Sequence, residues 1–381
     1  DRSVPGAVAT GCHARDYSSR MSVTAHPALP LPVLTNRVTC RRLTTHNPLN
    51  HPEVYKVSSS FSRRRFIAGL GAVAGAHTLA ANSLAGGLDR ASLDSLAGFA
   101  SQQKPATSPI TFGYASITWG GNDLQAIKDV AELGFKGIQL RSNIVPEYAS
   151  KPKALRDILA QNKIEMVALS SGGVQLTPGK ETEEIEKHAR HGAFVRDVGG
   201  RYLQVTDGFA RRKSEPTPDD YKRLGRLMTE IGKRTTDIGI PLGYHNHMNN
   251  LGETPEDVDR IMNEADSRYV KLELDIAHYF QGGGDPAKAA RKYKDRLLFL
   301  HIKDVESPLP GATGDPRFSY RFTELGRGKV DLPAFFAALK EIKFRGWAVV
   351  ELDSVPDKAR TPKEAGAISK KYLEERLGMK I

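Results

Sequence analysis

An α/β fold, the (β/α)8 or TIM barrel, is predicted for the chain beyond residue 108, on three observations. Short apolar runs alternate with amphipathic stretches eight times in about 270 of the 381 residues. These runs contain the apolar and β-branched residues of strands that are buried on both faces. No Gly-x-Gly-x-x-Gly motif follows the first run, which makes a doubly wound open sheet the weaker alternative.

The eight strands are predicted from apolar runs that end at turn-forming or polar residues. Four of them end in polar side chains that a buried strand has no structural need for. The predicted strands are 110–116, 137–140, 165–171, 202–206, 241–247, 270–275, 297–303 and 347–352.

The helices between these strands are predicted from their start and stop signals. The first ends before Gly134 and the third before Gly199, where a turn into the next strand is needed. Thr254 before Pro255 is typical of a helix N-terminus. The predicted helices are 123–133, 152–161, 183–198, 218–238, 254–265, 285–293, 332–342 and 362–377.

Two connections on the same side of the predicted barrel differ from the rest. Residues 306–328 form a long segment after the seventh strand that is rich in Pro, Gly and Arg. Residues 280–284 form a glycine-rich turn after the sixth strand. Both are expected at the face of the barrel that carries active sites.

The first 108 residues are predicted to lie outside the barrel and to contain an export signal. Ser62-Arg63-Arg64-Arg65-Phe66-Ile67 is a twin-arginine export signature, and the apolar run behind it is too short to span a bilayer. We expect residues 58–85 to be a signal peptide, 86–108 a linker and 109–381 a single barrel domain. Residues 1–57 lack a sustained apolar period and are expected to be disordered or to precede the native start.

This signature predicts the location and one partner of the protein. The expected location is the periplasm or the exterior, reached through the twin-arginine export machinery without a stable membrane span. That route carries folded proteins, so a metal ion could be bound before export.

Charge and cysteine content exclude several function classes. Of the net charge of +11, +7 lies in residues 1–85, and the remaining +4 is scattered. A nucleic acid partner is therefore not expected. Both cysteines, Cys12 and Cys40, precede the barrel, which excludes disulfides, zinc–thiolate sites and cysteine nucleophiles within it. The sequence leaves the oligomeric state open.

Four consecutive predicted strands, the fifth to the eighth, end in residues that bind metals. These residues are His245, Asp275, His301 and Glu351. Because the carboxyl ends of barrel strands meet at one face, the four are predicted to form one site. Two imidazoles and two carboxylates suit one divalent ion among Mn²⁺, Co²⁺, Zn²⁺, Fe²⁺ and Mg²⁺, and the sequence does not choose among these.

The metal-type site predicts proton abstraction next to a carbonyl group. An ion that chelates a carbonyl oxygen and its neighbouring hydroxyl stabilises the enediolate that forms. Glu351 is the predicted base, with His247 as the second candidate. His278, Lys303 and Arg327 are predicted to contact the substrate. The alternative for Lys303 is a salt bridge, and that for Arg327 is a solvated loop charge.

The order of these motifs resembles the sugar phosphate isomerase/epimerase group of xylose isomerase-like TIM barrels. The similarity covers about residues 110–375 and implies a (β/α)8 fold, a divalent metal, and isomerisation, epimerisation or dehydration of sugars and polyols. The motifs are Gly134-Phe135-Lys136-Gly137-Ile138-Gln139-Leu140, Tyr244-His245-Asn246-His247, Leu274-Asp275-Ile276-Ala277-His278, His301-Ile302-Lys303-Asp304, Gly326-Arg327-Gly328-Lys329-Val330-Asp331 and Gly346-Trp347-Ala348-Val349-Val350-Glu351.

Two residues depart from the pattern of many members of that group. His245 stands where a metal-binding glutamate usually ends the fifth strand, so Glu351 alone remains of the two acid/base carboxylates of the epimerases. Gln139 stands where many members have glutamate. The segment Tyr244-His245-Asn246-His247-Met248 is similar to the inosose dehydratases, which remove water next to a ketone.

The first hypothesis for function is a divalent-metal-dependent isomerase or epimerase. Its substrate would be an unphosphorylated keto-sugar or polyol, because phosphorylated sugars are mostly made in the cytoplasm. The alternative is a lyase or dehydratase that eliminates a β-leaving group from a keto-sugar or keto-glycoside. A non-catalytic sugar-binding barrel is the alternative of another class, whereas a nuclease would need more metal ligands and a basic face.

Overall fold

A computed structural model describes residues 110–381, and within them eight parallel strands close into a barrel in the order β1-β10-β7-β6-β5-β4-β3-β2. The predicted (β/α)8 fold is confirmed. The leader, signal and linker predicted for residues 1–57, 58–85 and 86–108 lie outside the described residues. The barrel strands are β1 Ile110–Ala115, β2 Gly137–Arg141, β3 Glu165–Val174, β4 Tyr202–Asp207, β5 Leu242–His245, β6 Val270–Asp275, β7 Leu297–Ile302 and β10 Gly346–Val350.

Helices connect these strands on the outside of the barrel. Three of them, whose first residues are Pro218, Pro255 and Pro362, begin with a capping box, in which a threonine and an acid three residues later bind each other's backbone. No helix of the described residues is long and apolar enough to cross a membrane. The helices are α1 Asp123–Glu132, α2 Val145–Tyr148, α3 Pro152–Gln161, α4 Glu181–Val198, α5 Pro218–Asp237, α6 Pro255–Glu264, α7 Ile276–Gln281, α8 Pro286–Lys292, α9 Leu332–Glu341 and α10 Pro362–Glu375.

Two connections contain structure that the sequence analysis did not predict. Asp275 caps α7 by accepting hydrogen bonds from the N–H groups of Ala277 and His278, so a helix follows β6 before the glycine-rich turn. After β7, the strands β8 Asp304–Glu306 and β9 Arg321–Thr323 pair in antiparallel fashion. The segment between them rises from the mouth of the barrel as a hairpin.

The interior of the barrel changes from apolar to polar along its strands. An apolar cluster inside the wall includes Phe299 and Val349. His301 and Glu351 follow these residues by two positions, and alternate residues of a strand share a face. The polar side chains therefore lie directly above an apolar layer that excludes water from beneath them.

A buried polar contact joins β3 to α4. Ser171 Oγ lies 2.5 Å from His188 Nδ1 and 2.7 Å from His191 Nδ1. Burial, assisted by Lys187, lowers the pKa of His188 to about 3, although Glu184 opposes this. The imidazole of His188 is therefore neutral. Because Ser171 and His188 are both buried, this arrangement fastens the helix to the barrel and offers no nucleophile to solvent.

We predict that this contact makes the barrel sensitive to acid. The pKa of His188 is lower in the folded chain than its ordinary value near 6.5, so protonation favours the unfolded chain. The stabilisation is complete above pH 6.5 and is lost as the pH falls toward 3. At pH 5 the loss relative to pH 7.5 is about 2 kcal/mol from this group.

Urea unfolding of the wild type and of His188→Gln at both pH values tests this prediction. The variant keeps hydrogen-bonding capacity without titrating, so its stability should fall by about 2 kcal/mol less than that of the wild type. Equal losses in the two proteins would contradict it.

Candidate active site

The structure brings together the four side chains predicted as metal ligands. One ligand atom each from His245, Asp275, His301 and Glu351 lies within 4.8 Å of all the others. The four side chains, here called the quartet, are buried. They come from β5, β6, β7 and the end of β10, which are neighbours in the closed barrel. Closure of the sheet therefore places residues that are 106 positions apart in sequence at one point.

Two atoms of the quartet are buried without a hydrogen-bond partner. They are Asp275 Oδ2 and His301 Nδ1, 3.6 Å apart, and His301 Nδ1 lies 3.4 Å from Glu351 Oε2. Ligand atoms at about 2.0–2.2 Å from one ion are separated by roughly 3 to 4 Å. The quartet therefore fits a divalent cation, and its mixture of nitrogen and oxygen does not identify the metal.

Asp275 has a second partner through its other oxygen. Its Oδ1 accepts hydrogen bonds from the N–H groups of Ala277 and His278 at 2.9 and 2.8 Å. One carboxylate oxygen thus caps α7, while the other faces the centre of the quartet. The cap fixes the rotation of the carboxylate, so Oδ2 is already aimed at the position of an ion.

Glu273 is a member of the site that the sequence analysis missed. It is fully buried, and its Oε1 lies 2.6 Å from His301 Nε2 and 3.3 Å from His245 Nδ1. A carboxylate on the outer nitrogen of a metal-binding histidine fixes the orientation of the ring. The available signal was spacing, because Glu273 precedes Asp275 by two residues and shares its face of β6.

Gln139 also contacts His301. Its Oε1 lies 2.7 Å from His301 Nε2, on the same nitrogen that Glu273 binds, and its Nε2 lies 3.5 Å from Gln204 Oε1. A glutamate at position 139 would place a second carboxylate beside Glu273 in a buried site. The neutral amide avoids that repulsion, which gives a physical reason for this departure from the family pattern.

Lys303 is buried and lies at the edge of the quartet. Its Nζ is 2.9 Å from Glu351 Oε1 and 2.6 Å from Asp353 Oδ1. Burial lowers the pKa of Lys303, but Asp353 and Glu351 raise it more, so the pKa lies above its ordinary value and the ammonium is charged. The salt-bridge alternative describes these contacts, and Asp353 was not predicted as the second partner.

His247 and His278 form a pair of imidazoles beside the quartet. Their ring centroids are 3.8 Å apart, and one nitrogen of each lies within 4.8 Å of a nitrogen of His245. His247 Nδ1 lies 2.7 Å from the carbonyl oxygen of Met248, which leaves Nε2 to exchange a proton with a ligand. His247 follows β5 and His278 lies on α7 after β6, and Lys303 Nζ lies 3.3 Å from His278 Nε2 and 2.9 Å from Glu351 Oε1.

Arg327 contacts a different group. Its guanidinium lies 3.6 Å from Glu324, and about half of its side chain (47%) is exposed. The glycines around it have a structural role, because Asp304 accepts hydrogen bonds from the N–H groups of Gly326 and Gly328. A Cβ at position 328 would collide with the Asp304 carboxylate. The solvated-charge alternative therefore describes the contacts of Arg327.

Comparison with known proteins identifies the family of the barrel. The sequence profile of xylose isomerase-like TIM barrels matches residues 127–372, which is more than half of the chain. The chain belongs to the xylose isomerase-like TIM barrel family. The resemblance stated from the motifs is thus confirmed.

One relative and two solved structures show what this xylose isomerase-like barrel is similar to. The inosose dehydratase of Lacticaseibacillus casei is 27% identical over 294 residues, which cover 70% of this chain and 96% of the relative. The structure of the IolI protein with a bound zinc atom aligns with a TM-score of 0.58 at 21% identity, covering 70% of this chain and 97% of that one. A D-tagatose 3-epimerase-like protein aligns with a TM-score of 0.55 at 19% identity, covering 70% and 98%. A dehydratase and an epimerase-like protein therefore share this architecture.

We predict that the quartet binds one divalent ion per chain. His301→Ala removes a ligand and should lose the ion, whereas Glu273→Gln keeps the ligands and should weaken binding about 10- to 100-fold. Chelation should lower the melting temperature of the wild type, because an ion that binds the folded chain stabilises it.

Metal analysis of the purified variants and competition with a fluorescent chelator measure these effects. Asp353→Asn is the control, since Asp353 contacts Lys303 but is outside the quartet, and it should keep a full complement of metal. Full metal content in His301→Ala would contradict the assignment.

Proposed function

We propose that this barrel is a divalent-metal-dependent lyase. It would remove the proton next to the ketone of a sugar or cyclic polyol and expel an oxygen substituent from the β-carbon. The observation that carries the proposal is the buried quartet, whose two partnerless atoms fit an ion, with the pair His247 and His278 beside it. The similarity to inosose dehydratases supports elimination over the isomerase first expected from the sequence.

The reaction needs no oxidant or reductant. The C–H bond beside the carbonyl breaks, its electron pair forms a C=C bond, the β C–O bond breaks, and the departing oxygen takes a proton. The products are an unsaturated ketone and water or an alcohol. A divalent ion at the quartet would polarise the ketone and stabilise the negative charge that develops on its oxygen.

Glu351 and His247 are the proposed acid/base pair. Glu351 would take the proton, and His247 would deliver one from its Nε2 to the leaving oxygen. Lys303 is proposed as a positioning residue, because its ammonium holds Glu351 Oε1 at 2.9 Å and is itself anchored by Asp353. His278 packs against His247 and holds the ring in place.

The charge of the site favours a substrate without phosphate. The buried cation Lys303 is already neutralised by Glu351 and Asp353. A phosphate placed beside these carboxylates would be repelled and would gain no free partner there. A neutral keto-sugar or keto-polyol fits these charges.

Isomerisation or epimerisation is the second candidate, and one observation favours it. A carboxylate and an imidazole both lie beside Lys303, whose Nζ is 2.9 Å from Glu351 Oε1 and 3.3 Å from His278 Nε2. Such a pair could take a proton from one face of the substrate and return it to the other. The two candidates share proton abstraction and differ in product.

We predict that the metal-loaded protein exchanges the proton next to the ketone of inososes and 3-keto-glucosides in D₂O and forms an unsaturated ketone. Glu351→Gln should lose both exchange and product by about 10²- to 10⁴-fold. His247→Asn should keep the exchange and lose elimination of a poor leaving group.

Proton NMR follows exchange, and ultraviolet absorbance follows the unsaturated ketone. Metal content is measured for each variant, so that loss of the ion is distinguished from loss of the acid or base. If an epimer forms and no unsaturated ketone is detected, the protein is an epimerase, the second candidate, and not a lyase. Neither exchange nor product with any substrate would contradict both.

We also propose that residues 58–85 direct export to the periplasm or exterior. The support is the twin-arginine signature, in which Arg63 and Arg64 precede an apolar run. Arg63→Lys with Arg64→Lys should keep the charge and abolish export, because the machinery reads the arginine pair.

Cell fractionation of a host with an intact twin-arginine pathway measures this effect. Arg41→Lys with Arg42→Lys, a second arginine pair outside the signature, is the matched control and should be exported like the wild type. Unchanged export of the Arg63/Arg64 double variant would disprove the proposal.

A further inference from the structure

Phe318 is the most exposed large apolar side chain of the described residues, at 53% exposure. It lies in the hairpin segment between β8 and β9. That segment is fastened over the barrel mouth, because the Pro316 carbonyl oxygen accepts hydrogen bonds from Gln281 Nε2 and Ser307 Oγ, both at 2.9 Å. Gln281 ends α7, the helix that Asp275 of the quartet caps. The backbone two residues before Phe318 is thus held against the helix that follows β6.

Two further aromatic residues, Phe322 and Tyr320, lie between the neighbours of the quartet and Phe318. Phe322 lies 4.0 Å from Lys303 Nζ and 4.9 Å from the ring of His278. Tyr320 follows with its ring centroid 5.3 Å from that of Phe322. Phe318 precedes Tyr320 by two residues in the sequence and is exposed, whereas Tyr320 and Phe322 are half-buried. The row, here called the aromatic row, consists of Phe318, Tyr320 and Phe322.

A polar pocket of about 280 Å³ lies beside Phe318. It is formed by the loops after β4 and β5 and by the hairpin segment, and it is lined by Arg211, Arg212, Glu215, Asn249, Glu253, Arg317 and Phe318. Its volume is at the lower end of the range for small-molecule pockets. Here it is called the rim pocket.

Asn249 organises the rim pocket. Its N–H donates to Glu253 at 2.7 Å, its side-chain oxygen accepts from Arg212 at 2.7 Å, and its carbonyl oxygen accepts from the N–H of Arg211 at 3.0 Å. Its φ of 63° is a left-handed conformation that residues other than glycine adopt rarely and that clusters at functional sites. Asn249 follows His247 by two residues, so one loop serves both the imidazole pair and this pocket.

Tyr320 lies between Phe318, which lines the rim pocket, and Phe322, whose ring centroid is 4.0 Å from Lys303 Nζ. Its own ring centroid is 5.3 Å from that of Phe322. A ligand bound at the quartet could extend along the aromatic row into the pocket.

The chemistry of the rim pocket matches a neutral sugar ring. A pyranose presents a C–H face that packs on an aromatic ring, and hydroxyl groups at its edge that need both donors and acceptors. The pocket offers the Phe318 ring, arginine donors and the Glu253 acceptor. Two of its arginines are already paired, Arg211 with Asp257 and Arg317 with Asp315, so its excess charge is too small to select a phosphate or a uronate.

We propose that the rim pocket binds a second sugar ring, so that the substrate is a glycoside. The ketone-bearing ring would lie at the quartet, and the leaving sugar would pack on Phe318. The inference rests on the proposed function and makes the expelled oxygen the glycosidic one. Glu351 takes the proton beside the ketone, the electron pair of that C–H bond forms the C=C bond, the C–O bond to the second ring breaks, and the departing glycosidic oxygen takes a proton from His247.

Binding is tested without any reaction. The metal-loaded protein is labelled with 4-fluorophenylalanine, the Phe318 signal is assigned with Phe318→Leu, and cellobiose, maltose, trehalose and glucose are titrated in fluorine NMR. At least one disaccharide should shift the Phe318 signal at a concentration about tenfold lower than glucose does. Absence of a shift with all three disaccharides would overturn the proposal.

Kinetics separate this proposal from the proposed function. The ratio of kcat/KM for a 3-keto-disaccharide to that for the methyl 3-keto-glucoside should fall about tenfold in Phe318→Ala. Leu124→Ala, which removes a second exposed large apolar side chain among residues 110–381, on α1, should leave the ratio unchanged.

The two proposals fail in different ways. An unchanged ratio in Phe318→Ala, with both substrates turned over, would overturn the second-ring site and leave the lyase intact. A shifted Phe318 signal in a protein that turns over neither substrate would support the sugar site and overturn the lyase.

Discussion

The arrangement of the site depends on one buried carboxylate between two imidazoles. Glu273 is fully enclosed, and the rings of His245 and His301 both bind its Oε1. Burial raises the pKa of Glu273, yet His301 and His245 lower it more, so the carboxylate is ionised. An isolated charge there would cost several kcal/mol. That cost is offset only while both rings keep their orientation, which turns their other nitrogens toward the centre of the quartet.

A short series of contacts connects the quartet to the loops at the mouth of the barrel. Asp275 begins α7, α7 ends at Gln281, and Gln281 holds the hairpin segment that carries the aromatic row. At the base of the hairpin, Asp304 binds the backbone around Gly328. Each step uses a polar side chain to satisfy backbone groups that are outside regular structure. The mouth is thereby shaped by the same barrel that forms the ion site.

Sequence patterns predicted those features that depend on periodicity, and missed those that depend on three-dimensional neighbours. The eight strands and the quartet followed from apolar runs that end in polar residues at successive strand ends. Glu273 was not predicted as a site residue, because a single acid inside an apolar strand forms no motif of its own. Its two-residue spacing from Asp275 would have placed it on the same face of the strand. The β8–β9 hairpin escaped because its strands have three residues each and pair across a segment rich in proline and glycine.

Asp275 serves two partners, since one oxygen caps a helix and the other faces the quartet. A residue that makes two essential contacts tolerates few substitutions. Asparagine at position 275 would keep the cap of α7 but would weaken the ion site. Glutamate would place its carboxylate one methylene too far from the N–H groups that the cap binds. Amino-acid substitutions in such a barrel are therefore expected mainly at positions that make one contact or none, such as the tip of the hairpin. New specificities can arise there by drift while the reaction centre is inherited unchanged.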